Sequence, residues 1–238
     1  MGMEVAHFME LIYILVEEDI TNVDEIKRNP ERAKKILHSY ARNISSAATN
    51  KTIKNDIISN DETLDEKTLS SYTNALRKLY VIKDVIAWSP KLRSATTIRS
   101  SNKRQFVDPS IATAALGAKP DDLFNDLNTF GVLFESLCIR DLRIYAESLG
   151  GTVYHYQDSS GLEADAIIHM GNGDWGAVEI KLGGNEIDDA AAKLIALKNK
   201  IDIDKMKQPK CLIVLTGLDY GYKRPDGVLV VPVGCLKN

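Results

Sequence analysis

Three side chains in the second half of this 238-residue sequence have the types and spacing to do chemistry: Asp165, Glu179 and Lys181. Asp165 lies early in one apolar run, within GLEADAIIHM, and Glu179 and Lys181 close the next, within WGAVEIKL. In an extended strand, residues two apart point to one face. Glu179 and Lys181 therefore share a side, as do Glu163 and Asp165, while Val178 and Ile180 turn the other way. If the runs pair antiparallel through the GNGD turn between them, Asp165 and Glu179 meet within a few Å. Two carboxylates that close, in a poorly solvated place, repel by several kcal/mol unless a proton or cation sits between them. A hard divalent ion with oxygen ligands, Mg²⁺ or Mn²⁺, suits them. Such a metal polarises a phosphate and lowers the pKa of a bound water. Lys181 can orient that water or stabilise charge developing on the phosphate. Glu135, on the helix that precedes the strands, is the fourth candidate and a third metal ligand with Asp165 and Glu179. The set suits metal-assisted phosphodiester hydrolysis.

The same charges can also be solvated surface. Glu163, at a strand start, reads that way. Asp165, between Ala164 and Ala166 and followed by Ile167 and Ile168, reads as a site. A Lys–Glu pair can equally be an exposed salt bridge contributing under about 1 kcal/mol. A fold that keeps these charges without hydrolysing anything is a further reading, since a fold does not fix an activity.

The elements that must position these residues follow from periodicity. Apolar spacing predicts helices over 4–20, from Asp24 to about Ala47 with Pro30 as a break or a first turn, over 49–58, and after the cap Asp65. A strand over 81–88 and a second near 104–107 then complete the order of a winged helix-turn-helix. Between them WSPKLRSATTIRSSNKR holds Lys91, Arg93, Arg99, Lys103 and Arg104 and no acid. It is either a solvated loop or a basic wing that touches nucleic-acid phosphates or an acidic neighbour. Residues 111–120 read as a linker. A helix ending at Gly150-Gly151 follows, then strands over 152–157, 164–170 and 175–182, a helix over 185–200, and strands over 211–216 and 228–233. The chain is thus α+β or α/β: a helical, winged-helix-like domain over 1–118 and an αβββαβ domain over 119–238.

Composition sets the frame. The net charge is −3, so any nucleic-acid contact must come from a local patch. The three cysteines, Cys138, Cys211 and Cys235, form no C-x-x-C pair. No run reaches the roughly 20 apolar residues of a membrane span, and Glu4 and Glu10 stand where a secretory signal would be basic. A reducing, cytoplasmic setting is expected. His155 reads as structural, Lys193 as solvent-facing, and Tyr220 and Tyr222 as packing residues.

Asp165 followed by Glu179-Ile180-Lys181 on the next strand, with Glu135 in FGVLFESL before and a helix and strand after, resembles the PD-(D/E)XK nuclease superfamily of restriction-endonuclease type. The likeness covers about residues 122–235. It implies Asp165 and Glu179 as metal ligands and Lys181 as the catalytic lysine. A narrower resemblance covers nearly the whole chain. Residues 10–118 with FGVLFE, GLEADAII, VEIKLG and DGVLVVPV look like the C-terminal part of predicted AAA+ ATPases with an appended domain of unknown function, LIYILVEEDI being similar to the end of the ATPase part. No G-x-x-x-x-G-K-[ST] is present. ATP hydrolysis is therefore not assigned to this chain, and the ATPase module is an expected partner, in cis or in trans. A homodimer is a further expectation, because sites of this superfamily are frequently used in pairs. Two functions follow from the resemblance: a Mg²⁺-dependent nuclease or nuclease-like nucleic-acid-binding domain, or a catalytically inactive regulatory or protein-interaction module.

Overall fold

The computed structural model describes residues 12, 14–58, 64–90, 101–202, 204 and 206–237. The chain forms two compact units, and the division is discontinuous. Met1–Asp84 and Lys103–Ser136 make the first; Val85–Asn102 and Leu137–Asn238 make the second.

In the first unit a π-helical turn, Leu15–Asp19, runs into the short helix Ile20–Asn22. The expected helix from Asp24 begins only at Pro30, which occupies its first turn, where a missing N–H costs nothing. Helix α1 is Pro30–Arg42, and the side chain of Asn29 accepts from the Arg32 amide at 3.1 Å to cap it. Helix α2 is Asn50–Ile58 and α3 is Glu66–Lys78, capped by Asp65 through the Thr68 amide at 2.6 Å. Ile36, Leu37, Tyr40, Ile53, Leu69, Leu76 and Phe106 fill the core between them. The expected strand pair reduces to one antiparallel bridge, Ile82 to Phe106, flanked by the Lys83 amide on the Gln105 carbonyl at 2.9 Å. The expected linker is instead largely a helix, α4 (Pro109–Leu116), capped by Asp108 and ended by Gly117 at φ +68°. Its Ala112 and Ala114 are buried, and it packs on α1. Helix α5 is Pro120–Asn125 and α6 is Leu127–Ser148, whose residues up to Ser136 belong to this unit.

The second unit is a six-stranded mixed sheet. Strands β1 (Gly151–Gln157), β2 (Glu163–Met170), β3 (Trp175–Lys181), β4 (Cys211–Thr216), β5 (Tyr222–Lys223) and β6 (Leu229–Pro232) lie in the order β1-β2-β3-β4-β6-β5. β1, β2 and β3 are antiparallel; β3, β4 and β6 are parallel; β5 returns antiparallel on β6. Helix α7 (Ile187–Lys200) connects β3 to β4 and packs on β2, β3 and β4. With α6 ahead of β1, the order is the expected αβββαβ. Val85–Trp88, read as the continuation of a wing strand, instead lies along the free edge of β1. The His155 amide donates to the Ile86 carbonyl at 3.1 Å and the Trp88 amide to the His155 carbonyl at 2.7 Å.

Two details fix the register near the chemistry. β2 and β3 are joined by Gly171–Asp174, with Gly173 at φ +82°, where a side chain is disfavoured. Gly176 of β3 pairs with Cys211 of β4. A methyl group on Gly176 would sit 2.7 Å from Cys211 Sγ and 3.2 Å from the Cys211 carbonyl oxygen. Below them Trp175, Ala177, Leu212 and Val214 bury against Ile187, Ala190, Leu194 and Leu197 of α7. Among the described residues, no helix is long and apolar enough to cross a membrane.

Candidate functional site

The β2–β3 ladder pairs Ile167 with Ala177 and Ala166 with Val178, then stops. The next step of that register sets Asp165 opposite Glu179. Backbone pairing does not continue there. The Ile180 amide, which would face β2, donates instead to Asp165 Oδ2 at 2.9 Å. The carboxylate takes over a ladder position and fixes Asp165 against the backbone between Glu179 and Lys181. On its other side β3 remains paired with β4 to its end, Glu179 with Val214 and Lys181 with Thr216. The Glu-Ile-Lys segment is thus held from both flanks, which limits the freedom of its side chains.

Asp165 is 8% exposed and Glu179 1%. Lys181 Nζ lies 3.5 Å from Glu179 Oε2, with the lysine side chain 20% exposed. Burial alone would pull the Lys181 ammonium down. The carboxylates of Asp165, Glu179 and Glu186 outweigh it, and the pKa stands above the ordinary lysine value. The lysine therefore stays a cation through the physiological range. Glu186, just ahead of α7, entered no sequence argument. Its place follows from where the chain turns after β3, which no local pattern announces. The same holds for Thr216, fully buried beside Lys181 through a parallel pairing of distant segments.

The structure brings together Asp165, Glu179 and Lys181. Glu135 has another engagement, in the first unit: Lys103 Nζ donates to its Oε1 at 3.0 Å, with both side chains largely buried. Lys103 and Arg104, expected in a nucleic-acid-binding wing, require correction, because both are under 10% exposed. Arg104 donates to the Ala48 carbonyl at 2.8 Å, to Asn50 Oδ1 at 2.9 Å and to Asp84 Oδ2 at 3.3 Å, and its guanidinium lies over the Tyr40 ring. Their charge serves the first unit's interior. Lys91, Arg93 and Arg99 lie outside the described residues. Glu163 and Lys193 make a half-exposed pair at 3.9 Å, in keeping with a surface reading. His155 is buried with Nε2 3.1 Å from the Ser101 carbonyl oxygen, a structural placement. Tyr220 and Tyr222 are exposed rather than packed into the core.

Asp165 and Glu179 offer hard carboxylate oxygens on adjoining strand positions, which fits Mg²⁺ or Mn²⁺ better than a softer ion. Among the described residues no group of three or more His, Cys, Asp or Glu side chains is placed to hold a metal. A metal here would therefore complete its shell with water or a substrate oxygen, as Mg²⁺ commonly does.

These features define an α+β protein: a helical region followed by a mixed sheet that buries a carboxylate–lysine cluster at the end of one face. The chain belongs to the DUF8612 family, a domain of unknown function whose match spans residues 4–122, half of the chain. Residues 130–236 match DUF4143, a domain of unknown function found C-terminal to AAA ATPases. No curated protein and no solved structure matches the chain.

Proposed function

We propose that the sheet domain carries a divalent-metal-dependent phosphodiester hydrolase site, acting on nucleic acid alongside an AAA+ ATPase module in cis or in trans. One observation carries the reading. A buried carboxylate of β2 and a buried carboxylate of β3 lie beside the partly buried ammonium of Lys181, and the Asp165 carboxylate is fixed to the Ile180 amide between the β3 pair. A surface salt bridge needs neither the burial nor the backbone anchor.

Asp165 and Glu179 would hold the ion, Mg²⁺ or Mn²⁺. The bound ion would supply Lewis acidity toward a phosphate oxygen and an acidified water. Lys181, kept charged by its neighbours, would donate to a phosphoryl oxygen as negative charge grows on it. Hydrolysis consumes one water: its oxygen bonds to phosphorus, the bond to the leaving oxygen breaks, and a proton passes to the leaving group.

The engagement of Glu135 by Lys103 favours a second reading, an inactive regulatory or protein-interaction module that keeps the fold, because it leaves the cluster with two assigned carboxylates. Melting with and without Mn²⁺ separates the two. At a hundred times Kd a ligand stabilises by about 2.7 kcal/mol, a rise of about 5–10 °C for a chain of this length. The wild type is expected to show this and Asp165→Asn to lose it, with Mn²⁺-dependent cleavage of plasmid, single-stranded DNA or RNA lost in parallel. A wild type indifferent to Mn²⁺ and inert on all three substrates sinks the hydrolase reading and leaves the second.

A further inference from the structure

The two tyrosines read as packing residues stand together on the surface. Tyr220 is 66% exposed and Tyr222 43%, and their rings stack with centroids 6.2 Å apart and planes 29° from parallel. Exposed aromatic rings kept side by side are a costly use of surface unless something covers them. Gly221 makes the arrangement. A methyl group at that position would lie 3.0 Å from the Val230 carbonyl oxygen and 3.1 Å from Pro232 Cδ. The loop therefore lies flat on β6, and the residues on either side of the glycine lift their rings away together.

We propose that Tyr220 and Tyr222 form a stacking platform for the bases of a single-stranded nucleic acid. Resting on the hydrolase reading above, single-stranded nucleic acid is then the substrate class offered to the Asp165–Glu179–Lys181 cluster. Every base presents a π-face, so paired exposed tyrosines recognise unstacked bases without regard to sequence, whereas a duplex hides those faces. Position supports the link. The loop leaves β4 directly after Thr216, the partner of Lys181, and Tyr222 lies in the sheet row that runs through Val230 and Val214 to Glu179. Three strand spacings separate Tyr222 from Glu179, about 14 Å; Val214 and Val230 between them are buried, so a strand that reaches both passes over the end of the sheet beside Thr216 and Lys181. Charge near the platform is mixed. Lys223 is exposed, but Arg224 is engaged by Asp226 and Asp188. Binding should therefore rest on stacking, with a shallow salt dependence.

The test is fluorescence anisotropy of the full chain with labelled oligothymidylate, an abasic strand of equal length and the corresponding duplex. Each is measured against wild type, Tyr220→Ala/Tyr222→Ala and Tyr220→Phe/Tyr222→Phe. The expected result is binding of the thymidylate that falls at least about tenfold in the alanine pair and survives in the phenylalanine pair. Abasic strand and duplex should bind the wild type as poorly as thymidylate binds the alanine pair. Equal affinity of the wild type for abasic and base-bearing strands overturns the proposal even if a variant misfolds. So does an unchanged affinity in a folded alanine pair, or capture of a proline-rich peptide in place of the oligonucleotide. Failure of the hydrolase reading registers separately, as a wild-type melting temperature indifferent to Mn²⁺.

Discussion

Replacing Lys181 by Met keeps an unbranched apolar stem and removes the ammonium between buried acids. At 3.5 Å from Glu179 Oε2, the Coulomb attraction at an effective dielectric constant of about 20 is about 5 kcal/mol. Part of this is returned, because the ammonium no longer loses hydration, and its side chain is 20% exposed against 1% for Glu179. Removing one partner of a buried pair costs about 3–5 kcal/mol, and the partial exposure of Lys181 lowers the expectation to about 2–4 kcal/mol. For a chain of 238 residues that is a fall in Tm of about 4–16 °C. The assay is differential scanning calorimetry at neutral pH without metal. Glu179→Gln placed in the Lys181→Met background should recover part of the loss, since removing both charges costs less than removing one. Lys193→Met is the control: its pair with Glu163 is half-exposed at 3.9 Å and contributes under about 1 kcal/mol. A Lys181→Met chain that melts with the Lys193→Met control, or a double variant whose losses simply add, refutes the electrostatic coupling on which the site is built.

Two further outcomes follow from the same charges. The folded pKa of Lys181 is raised, so its stabilisation is fully present below about pH 10.4, the free lysine value, and is lost as pH rises through the folded value. The stability gap between wild type and Lys181→Met, from urea unfolding across alkaline pH, should therefore stay constant to about pH 10 and close above it; a gap that widens there contradicts the sign. In the first unit, Lys103→Met takes the ammonium from the largely buried Glu135 and should cost up to about 3–5 kcal/mol, partly restored by Glu135→Gln, while Glu135→Gln alone leaves the Mn²⁺ shift of the melting curve in place; loss of that shift would return Glu135 to the metal site.

The site was legible because it is local. A period-two alternation, a GNGD turn and two apolar runs are enough to put Asp165 across from Glu179, and the αβββαβ order follows from lengths and punctuation. What escaped was set by distant contacts. Val81 to Trp88 reads as one uninterrupted strand, yet its halves serve different units, because His155 offers the second half an edge to pair with. Lys103 and Arg104 sit in a run of like charge, but their fate was decided by Glu135, Asp84, Asn50 and the Ala48 carbonyl. Helix α4 carried its signals openly, Asp108-Pro109 before and Gly117 after, and small side chains hid its buried face. Tyr220 and Tyr222 read as packing residues, yet both stand exposed on either side of Gly221, which lies close against β6.

Asp165 has two jobs that ordinary truncation confounds. Its carboxylate completes the ladder at the Ile180 amide and presents charge beside Glu179 and Lys181. Asp165→Ala removes both, leaving a backbone donor in a buried place without its acceptor, a loss of about 1–3 kcal/mol that any fold would register whether or not a metal ever binds. Asp165→Asn keeps an amide oxygen able to accept from Ile180 while deleting the negative charge. If the acid is there only to end the ladder, the asparagine variant should match the wild type in its response to Mn²⁺. If it is there to hold a cation, the variant should keep its fold and lose only the response to Mn²⁺. The contrast between the two substitutions separates the architecture of the strand end from the chemistry placed on it.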